Sequence, residues 1–145
     1  MNLQGRLRFL IFTISLIFVL CTVSCYAKIP VIYMTDLYHP HNDPDDHFDI
    51  ATIYALDEFD VKAIILDDGD WQQKASGVIP VSQMNEIFIR NVPAAIGLAE
   101  PLKSVTDTGL DQPEEFQVGV KTMLEILRNS SEPVTIIQVG SLRDL

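Results

Sequence analysis

The amino-acid sequence predicts an α/β fold built on an open, doubly wound, Rossmann-like sheet that is mainly parallel. Short runs rich in β-branched residues alternate with segments of helical spacing along most of the chain. The strand-like runs are almost continuously apolar, which is typical of strands covered on both faces. With 145 residues, 48% of them hydrophobic, the chain is large enough to bury one core.

The chain begins with the pattern of a signal peptide, which we assign to residues 1–27. Arg6 and Arg8 precede an apolar run at 9–23, and small residues follow that run. The run is shorter than the roughly 20 apolar residues of a membrane span. We therefore predict an exported protein, periplasmic or secreted, whose mature part is one domain at 28–145.

Alternatives for the first segment are a buried helix, an uncleaved anchor, and a lipoprotein attached through Cys25. The lipoprotein is the weaker option, because Thr22 stands where an aliphatic residue is usual. An uncleaved anchor or a lipid would be the link of this domain to a membrane. Both cysteines, Cys21 and Cys25, precede the mature domain, so we expect no disulfide within it.

The chain is acidic, with a formal net charge of −10. Nucleic-acid binding needs a basic surface that neutralises phosphates, so we do not expect a nucleic-acid partner. An acidic surface is compatible with small substrates or cations. Self-association into a homo-oligomer is left open.

Four buried strands are predicted in order along the chain. They lie at 30–36, 61–67, 93–97 and 134–139. Each is a short apolar run that ends at, or just before, an aspartate or a glycine. Their alternation with helices predicts parallel neighbours in one sheet.

Three helices are predicted between these strands. The first spans 43–59, with Asp43 as its N-cap and Pro44 as its first helical residue. The second begins after Pro80, and the third spans 113–129. The expected apolar stripe of the third helix comprises Phe116, Val120, Met123, Leu124 and Leu127.

Polar residues follow three of the predicted strands, at 35–36, 67–70 and 140–144. The carboxyl ends of parallel strands meet at one edge of the sheet, and open α/β sheets bind ligands there. We expect Asp67, Asp68 and Asp70 to lie near the aspartates that follow the first strand. The sequence therefore predicts a ligand pocket at this edge.

The stretch MTDLYHPHNDPDD, residues 34–46, places several carboxylates close together. Two unit charges 4 Å apart repel by about 4 kcal/mol at a dielectric constant of about 20, whereas a helix N-terminus favours each anion by roughly 0.3–1 kcal/mol. A divalent cation offsets such repulsion, and oxygen ligands favour Ca²⁺ or Mg²⁺ over Zn²⁺. His39 and His41 would suit zinc only with a third ligand. In the alternative reading, Asp45 and Asp46 are helix-capping acids on a solvated face.

The first strand and helix resemble the start of the inosine–uridine-preferring nucleoside hydrolase family, in which a strand ends in D-T-D and a D-D-A-x-A-L helix follows. The matching segments are VIYMTD (31–36) and DPDDHFDIATIYAL (43–56). Three further segments match in order: VKAIILDDGD (61–70), RNVPAAIGLAEPL (90–102) and VTIIQVGSLRDL (134–145). The resemblance covers nearly the whole mature chain and implies the N-terminal half of a nucleoside hydrolase fold.

The resemblance implies a glycosidase that hydrolyses the N-glycosidic bonds of nucleosides or related ribosides with a bound Ca²⁺. By position, Asp36 would ligate Ca²⁺ and accept the proton of the attacking water. Asp46 would be a second calcium ligand, and the backbone carbonyl of Arg143 another. Asp45 would bind a ribose hydroxyl, and Asp70 stands where an asparagine of the family contacts ribose.

Several positions depart from the family pattern. Met34 replaces the first Asp of D-T-D, and Asp70 and Asp144 replace asparagines. The loop that carries His39 and His41 is longer than the corresponding turn of the family. We therefore expect a divergent, exported branch.

The remaining calcium-binding Asp and the leaving-group histidine of the family belong to a C-terminal half with no counterpart before Leu145. On this basis we expect an N-terminal fragment that is inactive by itself. The alternative function is a non-catalytic carbohydrate- or metal-binding protein on the same fold. A Mg²⁺-dependent phosphotransfer enzyme or receiver domain ranks last, because no phosphate-binding glycine-rich loop is evident.

Overall fold

A computed structural model describes residues 4, 27–39 and 44–145 of the chain. Its strands are β1 (Ile29–Thr35), β2 (Phe59–Leu66), β3 (Ala94–Ile96) and β4 (Thr135–Gln138). They form one sheet in the order β3-β2-β1-β4, and every neighbouring pair is parallel. The predicted fold class is confirmed, as are the four predicted strands. The predicted signal peptide lies outside the described residues except at 4 and 27.

β1 is an interior strand of the sheet and explains why an apolar run without alternation forms a strand here. All of its residues after Ile29 are buried. Tyr33 pairs with Ile64 of β2 on one side and with Ile137 of β4 on the other. Both faces of β1 are covered, so every position along it favours an apolar side chain.

The helices are α1 (Asp45–Ala55), α2 (Val78–Phe88) and α3 (Val118–Asn129). Two short 3₁₀ helices, Gln72–Lys74 and Glu114–Gln117, precede α2 and α3. Side chains of α1 and α2 pack on one face of the sheet, in a core that contains Tyr33, Ile50 and Met84. Met123 of α3 packs on the opposite face with Ile32 and Met34. The sheet is therefore doubly wound, with two helices on one face and one on the other.

The helix starts differ from the predicted ones by a few residues. Pro44 is the N-cap of α1 rather than its first helical residue, and Asp43 lies outside the described residues. α2 begins at Val78, before Pro80. A proline in the first helical turn loses no hydrogen bond, because its nitrogen would have no partner in the helix. The third predicted helix starts as a 3₁₀ turn and becomes α-helical at Val118.

The predicted apolar stripe of α3 is partly wrong. Met123 is buried, but Leu124 and Leu127 are each 41% exposed. Gly119 lies so close to β3 and the residues after it that an added Cβ would stand 2.9 Å from Gly97 Cα and from Ile96 O. This close approach at Gly119 turns the helix so that its positions 119, 123 and 126 face the sheet, and the two leucines face outward.

The strand order also fixes where the chain reverses its direction across the sheet. β1, β2 and β3 follow one another outward, and the chain then returns through α3 to place β4 on the other side of β1. The reversal lies between β1 and β4, and ligands of open α/β sheets bind at such a point beyond the carboxyl ends of the strands. Within the described part of the chain, no helix has the length and apolarity needed to cross a membrane.

Candidate functional site

The carboxyl ends of β1 and β4 lie against each other at the point of reversal. The Val139 amide donates to the Met34 carbonyl at 3.0 Å, which extends the parallel ladder beyond β4. A Cβ on Gly140 would stand 2.8 Å from the Asp36 nitrogen, so only glycine fits this approach. Asp36 is therefore placed at the start of the crevice between the two strands.

Asp36 and Asp46, the two predicted side-chain ligands of calcium, come together at this crevice. Asp46 lies in the first turn of α1, and its carboxyl group contacts the Asp36 carboxyl and the Thr35 hydroxyl. Burial raises the pKa of Asp46 to about 6, the Thr35 hydroxyl opposes this shift, and the negative charge of Asp36 adds to it. Asp46 is thus a partly buried carboxyl group that the negative charge of Asp36 repels.

Tyr33 of β1 lies near this carboxyl pair. Its hydroxyl is buried, and burial raises the pKa of that hydroxyl, with the charges of Asp46 and Asp49 adding to the effect. The phenol therefore stays neutral at any physiological pH.

Asp45 and Asp70, the two predicted substrate-binding residues, are both exposed at this edge. The Asp45 carboxylate accepts a hydrogen bond of 3.0 Å from the Asp46 amide. That bond satisfies a free N–H group of the first helical turn, but Asp45 is not the N-cap, which is Pro44 and has no side-chain capping bond. Asp70 follows the buried residues 67–69, at the outer end of the turn after β2. Their roles toward a sugar stay predictions.

An ion pair between Arg143 and Asp67 crosses the edge from the β4 side to the β2 side. An Nη1 donor of Arg143 lies 2.7 Å from Asp67 Oδ1 and 3.0 Å from the Ser141 hydroxyl. The other oxygen of Asp67 accepts the Ser141 amide at 3.1 Å. The family resemblance implies that the backbone carbonyl of Arg143 is a calcium ligand, and this role stays a prediction. The structure assigns the side chain a partner of its own.

Asp68 and Asp144 complete the buried acids on this side. Asp68 is 4% exposed, and its Oδ2 has no hydrogen-bond partner among the described residues. Burial raises the pKa of Asp68, the charge of Asp67 adds to this, and Arg143 opposes it. Asp144 accepts the Leu98 amide at 2.7 Å, and burial raises its pKa to about 6. The Asp144 bond fastens the turn after β4 to the turn after β3.

The 3₁₀ helix Gln72–Lys74 ties the two sides of the edge together. Gln72 donates from Nε2 to the Asp36 carbonyl at 2.8 Å, and Gln73 donates to the Asp68 carbonyl at 3.0 Å. Trp71, immediately before this helix, is 72% exposed at the rim. Sequence reasoning missed both glutamines, because neutral amides after a strand carry no chemical signature of their own.

Of the two histidines that would suit zinc, the structure describes His39 but not His41. The His39 amide donates to the Ala75 carbonyl at 2.8 Å, which holds the start of the loop against the turn after β2. His41 falls in 40–43, outside the described residues. Among the described residues, no three His, Cys, Asp or Glu side chains are grouped closely enough to hold a metal ion. The described part of the edge thus offers Asp36 and Asp46 as a pair of acids.

A cavity of about 460 Å³ lies at the opposite end of the strands. Its lining mixes basic and acidic side chains, among them Lys28, Lys62 and Glu125, and Lys62 is ion-paired with Asp60. The side chains of this ion pair are 43% and 45% exposed. We place the candidate site at the carboxyl edge, where Asp67, Asp68 and Asp144 are buried and the chain reverses.

Comparison of the chain with models of protein families found no matching family. Comparison with curated proteins found no match either.

Proposed function

We propose that this domain binds Ca²⁺ and the diol of a ribose-like sugar at the edge formed by β1 and β4, and that it acts in hydrolysis of N-glycosidic bonds of nucleosides or related ribosides. The observation that carries the proposal is the contact between Asp36 and Asp46 at the point of reversal. Two carboxyl groups that repel each other in a partly desolvated crevice favour a bound cation with oxygen ligands.

Each residue of the crevice has a role in this proposal. When bound, Ca²⁺ supplies positive charge that offsets the two carboxylates and polarises a water molecule. Asp36 accepts the proton of the attacking water, and Asp46 helps to hold the cation. Asp45, at the exposed rim, accepts a hydrogen bond from a sugar hydroxyl. The negative charge of Asp45, which the cation does not offset, stabilises the positive charge that develops on the sugar ring as the glycosidic bond breaks.

The second candidate is a non-catalytic carbohydrate- or metal-binding protein on the same fold. The Arg143–Asp67 ion pair favours it, because a protein cation already fills part of the edge. The acid at Asp70 also favours it, since an ionised carboxylate cannot donate the hydrogen bond that an asparagine would give to ribose.

Calorimetric titration of the full chain with Ca²⁺, then with ribose, tests the binding step. We expect Ca²⁺ binding that weakens at least about tenfold in Asp36→Asn and in Asp46→Asn. Asp57→Asn is the matched control, because Asp57 is exposed just after the opposite end of α1. Equal affinity in all four proteins would refute the assigned cation site.

Release of free base from inosine and uridine, measured with and without Ca²⁺, tests the hydrolase. Base release that requires Ca²⁺ and is lost in Asp36→Asn supports the hydrolase and refutes the non-catalytic binding protein. Ribose binding without base release is expected of the non-catalytic binding protein, and also of a hydrolase domain that is inactive by itself. Absence of both Ca²⁺ binding and ribose binding contradicts both candidates.

A further inference from the structure

The geometry points to Arg143 as a built-in cation: its guanidinium fills the β2 side of the carboxyl edge and excludes a divalent ion from that side. We call this side, formed by Asp67, Asp68, Gly69, Ser141 and the Arg143 side chain, the guanidinium pocket. The consequence of this exclusion, that the side-chain ligands of a bound Ca²⁺ are Asp36 and Asp46, rests on the proposed function.

The pocket is shaped for a planar group. A Cβ on Gly69 would stand 3.0 Å from Arg143 Nη1 and 3.1 Å from Nη2, so a side chain at this position would press on the guanidinium. Nη1 donates to Asp67 Oδ1 and to the Ser141 hydroxyl, while the Ser141 amide donates to Asp67 Oδ2. Asp67 is thus held by two donors that both come from the turn after β4.

The buried carboxylates of the guanidinium pocket are stabilised by a positive charge close to them. Asp67 and Asp68 are 5% and 4% exposed, and both follow β2 directly. Buried carboxylates in folded proteins are paired with a cation or coordinate a metal. Arg143 provides this pairing for Asp67, and its charge also acts on Asp68. Asp68 Oδ2, which has no hydrogen-bond partner among the described residues, is an oxygen still available in the pocket.

Removal of the guanidinium would leave a set of hard oxygen atoms. The two oxygens of Asp67, Oδ2 of Asp68 and the Ser141 hydroxyl are ligands of the kind that Ca²⁺ accepts. Arg143 and a divalent cation therefore compete for the same carboxylates. The guanidinium is part of the chain, so its effective concentration near these carboxylates is high. In the native protein the carboxylates are therefore paired with Arg143 rather than with a divalent cation.

The test is the number of Ca²⁺ ions bound per chain, measured by calorimetry on the full chain and its variants. Arg143→Gln removes the positive charge, and we expect it to bind about one more Ca²⁺ per chain than the native protein. Arg143→Lys keeps the charge, and we expect native stoichiometry. In the double variant Asp67→Asn with Arg143→Gln, the additional ion is lost. Native stoichiometry in folded Arg143→Gln would overturn the inference.

A second variant tests the inference where Arg143→Gln does not fold. Asp67→Asn retains Arg143, and we expect it to bind as much Ca²⁺ as the native protein, because the native guanidinium pocket holds no metal. Weaker Ca²⁺ binding in Asp67→Asn would show that Asp67 is a metal ligand, and would overturn the inference. These outcomes are distinct from failure of the proposed function, which is read from Asp36→Asn and Asp46→Asn.

Discussion

The carboxyl group of Asp46, in the first turn of α1, is in hydrogen-bonding contact with that of Asp36, at the end of β1. Two carboxyl groups can share such a contact only when one of them carries a proton or a cation lies between them. Burial, with the charge of Asp36 adding to it, raises the pKa of Asp46 and so favours its protonated form when no metal is bound. Proton and metal are therefore alternative occupants of one place.

This relationship predicts how stability depends on pH in a chelating buffer. The pKa of Asp46 is about 6 in the folded chain and 3.8 ordinarily, so the folded chain binds more protons between these values. The free energy of unfolding then decreases as pH rises through this window. Asp144, whose pKa is also about 6, acts in the same direction. Urea unfolding at pH values from 4 to 7 measures the slope.

The variant Asp46→Asn isolates the contribution of Asp46 to this pH dependence of the unfolding free energy, because an asparagine side chain does not titrate. We expect the unfolding free energy of the variant to decrease less than that of the native chain as pH rises. The decrease that remains in the variant is the contribution of Asp144. Added Ca²⁺ should stabilise the native chain more than the variant, which binds the ion at least about tenfold more weakly. At a Ca²⁺ concentration of a hundred times the native Kd, the gain of the native chain is about 2.7 kcal/mol. Identical slopes in the two proteins would contradict the assignment.

Gly69→Ala is predicted to destabilise the fold through Arg143. The new methyl group would lie 3.0 Å from Nη1, closer than ordinary packing allows. We expect a loss of about 1–2 kcal/mol of unfolding free energy, typical of a small overpacking strain. In the Arg143→Gln background the loss should be smaller by at least about 0.5 kcal/mol. Urea unfolding of the four proteins completes the cycle, and an equal loss in both backgrounds would speak against this contact.

Ile89→Gly is predicted to stabilise the protein. Ile89 caps α2 in the left-handed region with φ of 52°, and its side chain is 92% exposed. A left-handed conformation costs a β-branched residue about 1–2 kcal/mol, and glycine relieves most of this cost. We expect a gain of about 1 kcal/mol in thermal or urea unfolding.

The matched control for this change is Ile87→Gly, at an exposed isoleucine inside the last turn of α2. Its backbone is right-handed, so glycine there loses chain entropy and should cost about 0.5–1 kcal/mol. Opposite signs for the two variants are the expected result. Destabilisation in both would show that backbone strain at position 89 is too small to matter.

Trp71 is predicted to report ligand binding at the edge. It is the single tryptophan of the chain, is 72% exposed, and precedes Gln72, which bonds the Asp36 carbonyl. Its emission should be that of an indole in water. Addition of inosine or uridine with Ca²⁺ should change this emission, and the change should be absent in Asp36→Asn. Nucleoside binding seen by calorimetry without any change in emission would count against ligand binding near this turn.

The sequence was informative wherever one local pattern decides the structure. The strands were predictable because the runs that become β1 and β2 are apolar at consecutive positions, and only a sheet covered on both faces accommodates this. The approach of Asp36 and Asp46 was also predictable. One follows a strand, the other opens the next helix, and parallel topology brings such positions to the same edge.

Features that depend on distant parts of the chain were not predictable. The Arg143–Asp67 ion pair joins residues that are 76 positions apart, and nothing local marks Arg143 as a partner of the turn after β2. The outward orientation of Leu124 and Leu127 follows from the close approach of Gly119 to β3, which the spacing of apolar residues does not contain. Helical periodicity predicts an apolar stripe along α3, but the packing of Gly119 against β3 decides which residues of that stripe are buried.

The hydrogen bonds of residues 141–144 also have a consequence for the order of events during synthesis. Asp67 and Asp68 leave the ribosome long before Arg143, so a growing chain contains their charges without the guanidinium that offsets them. Leu98 likewise lacks the carboxylate that accepts its amide until Asp144 emerges. The bonds that Asp67 and Leu98 make at this edge therefore form only after the β4 turn has been made. The carboxyl edge is completed by the residues of the described chain that are made last.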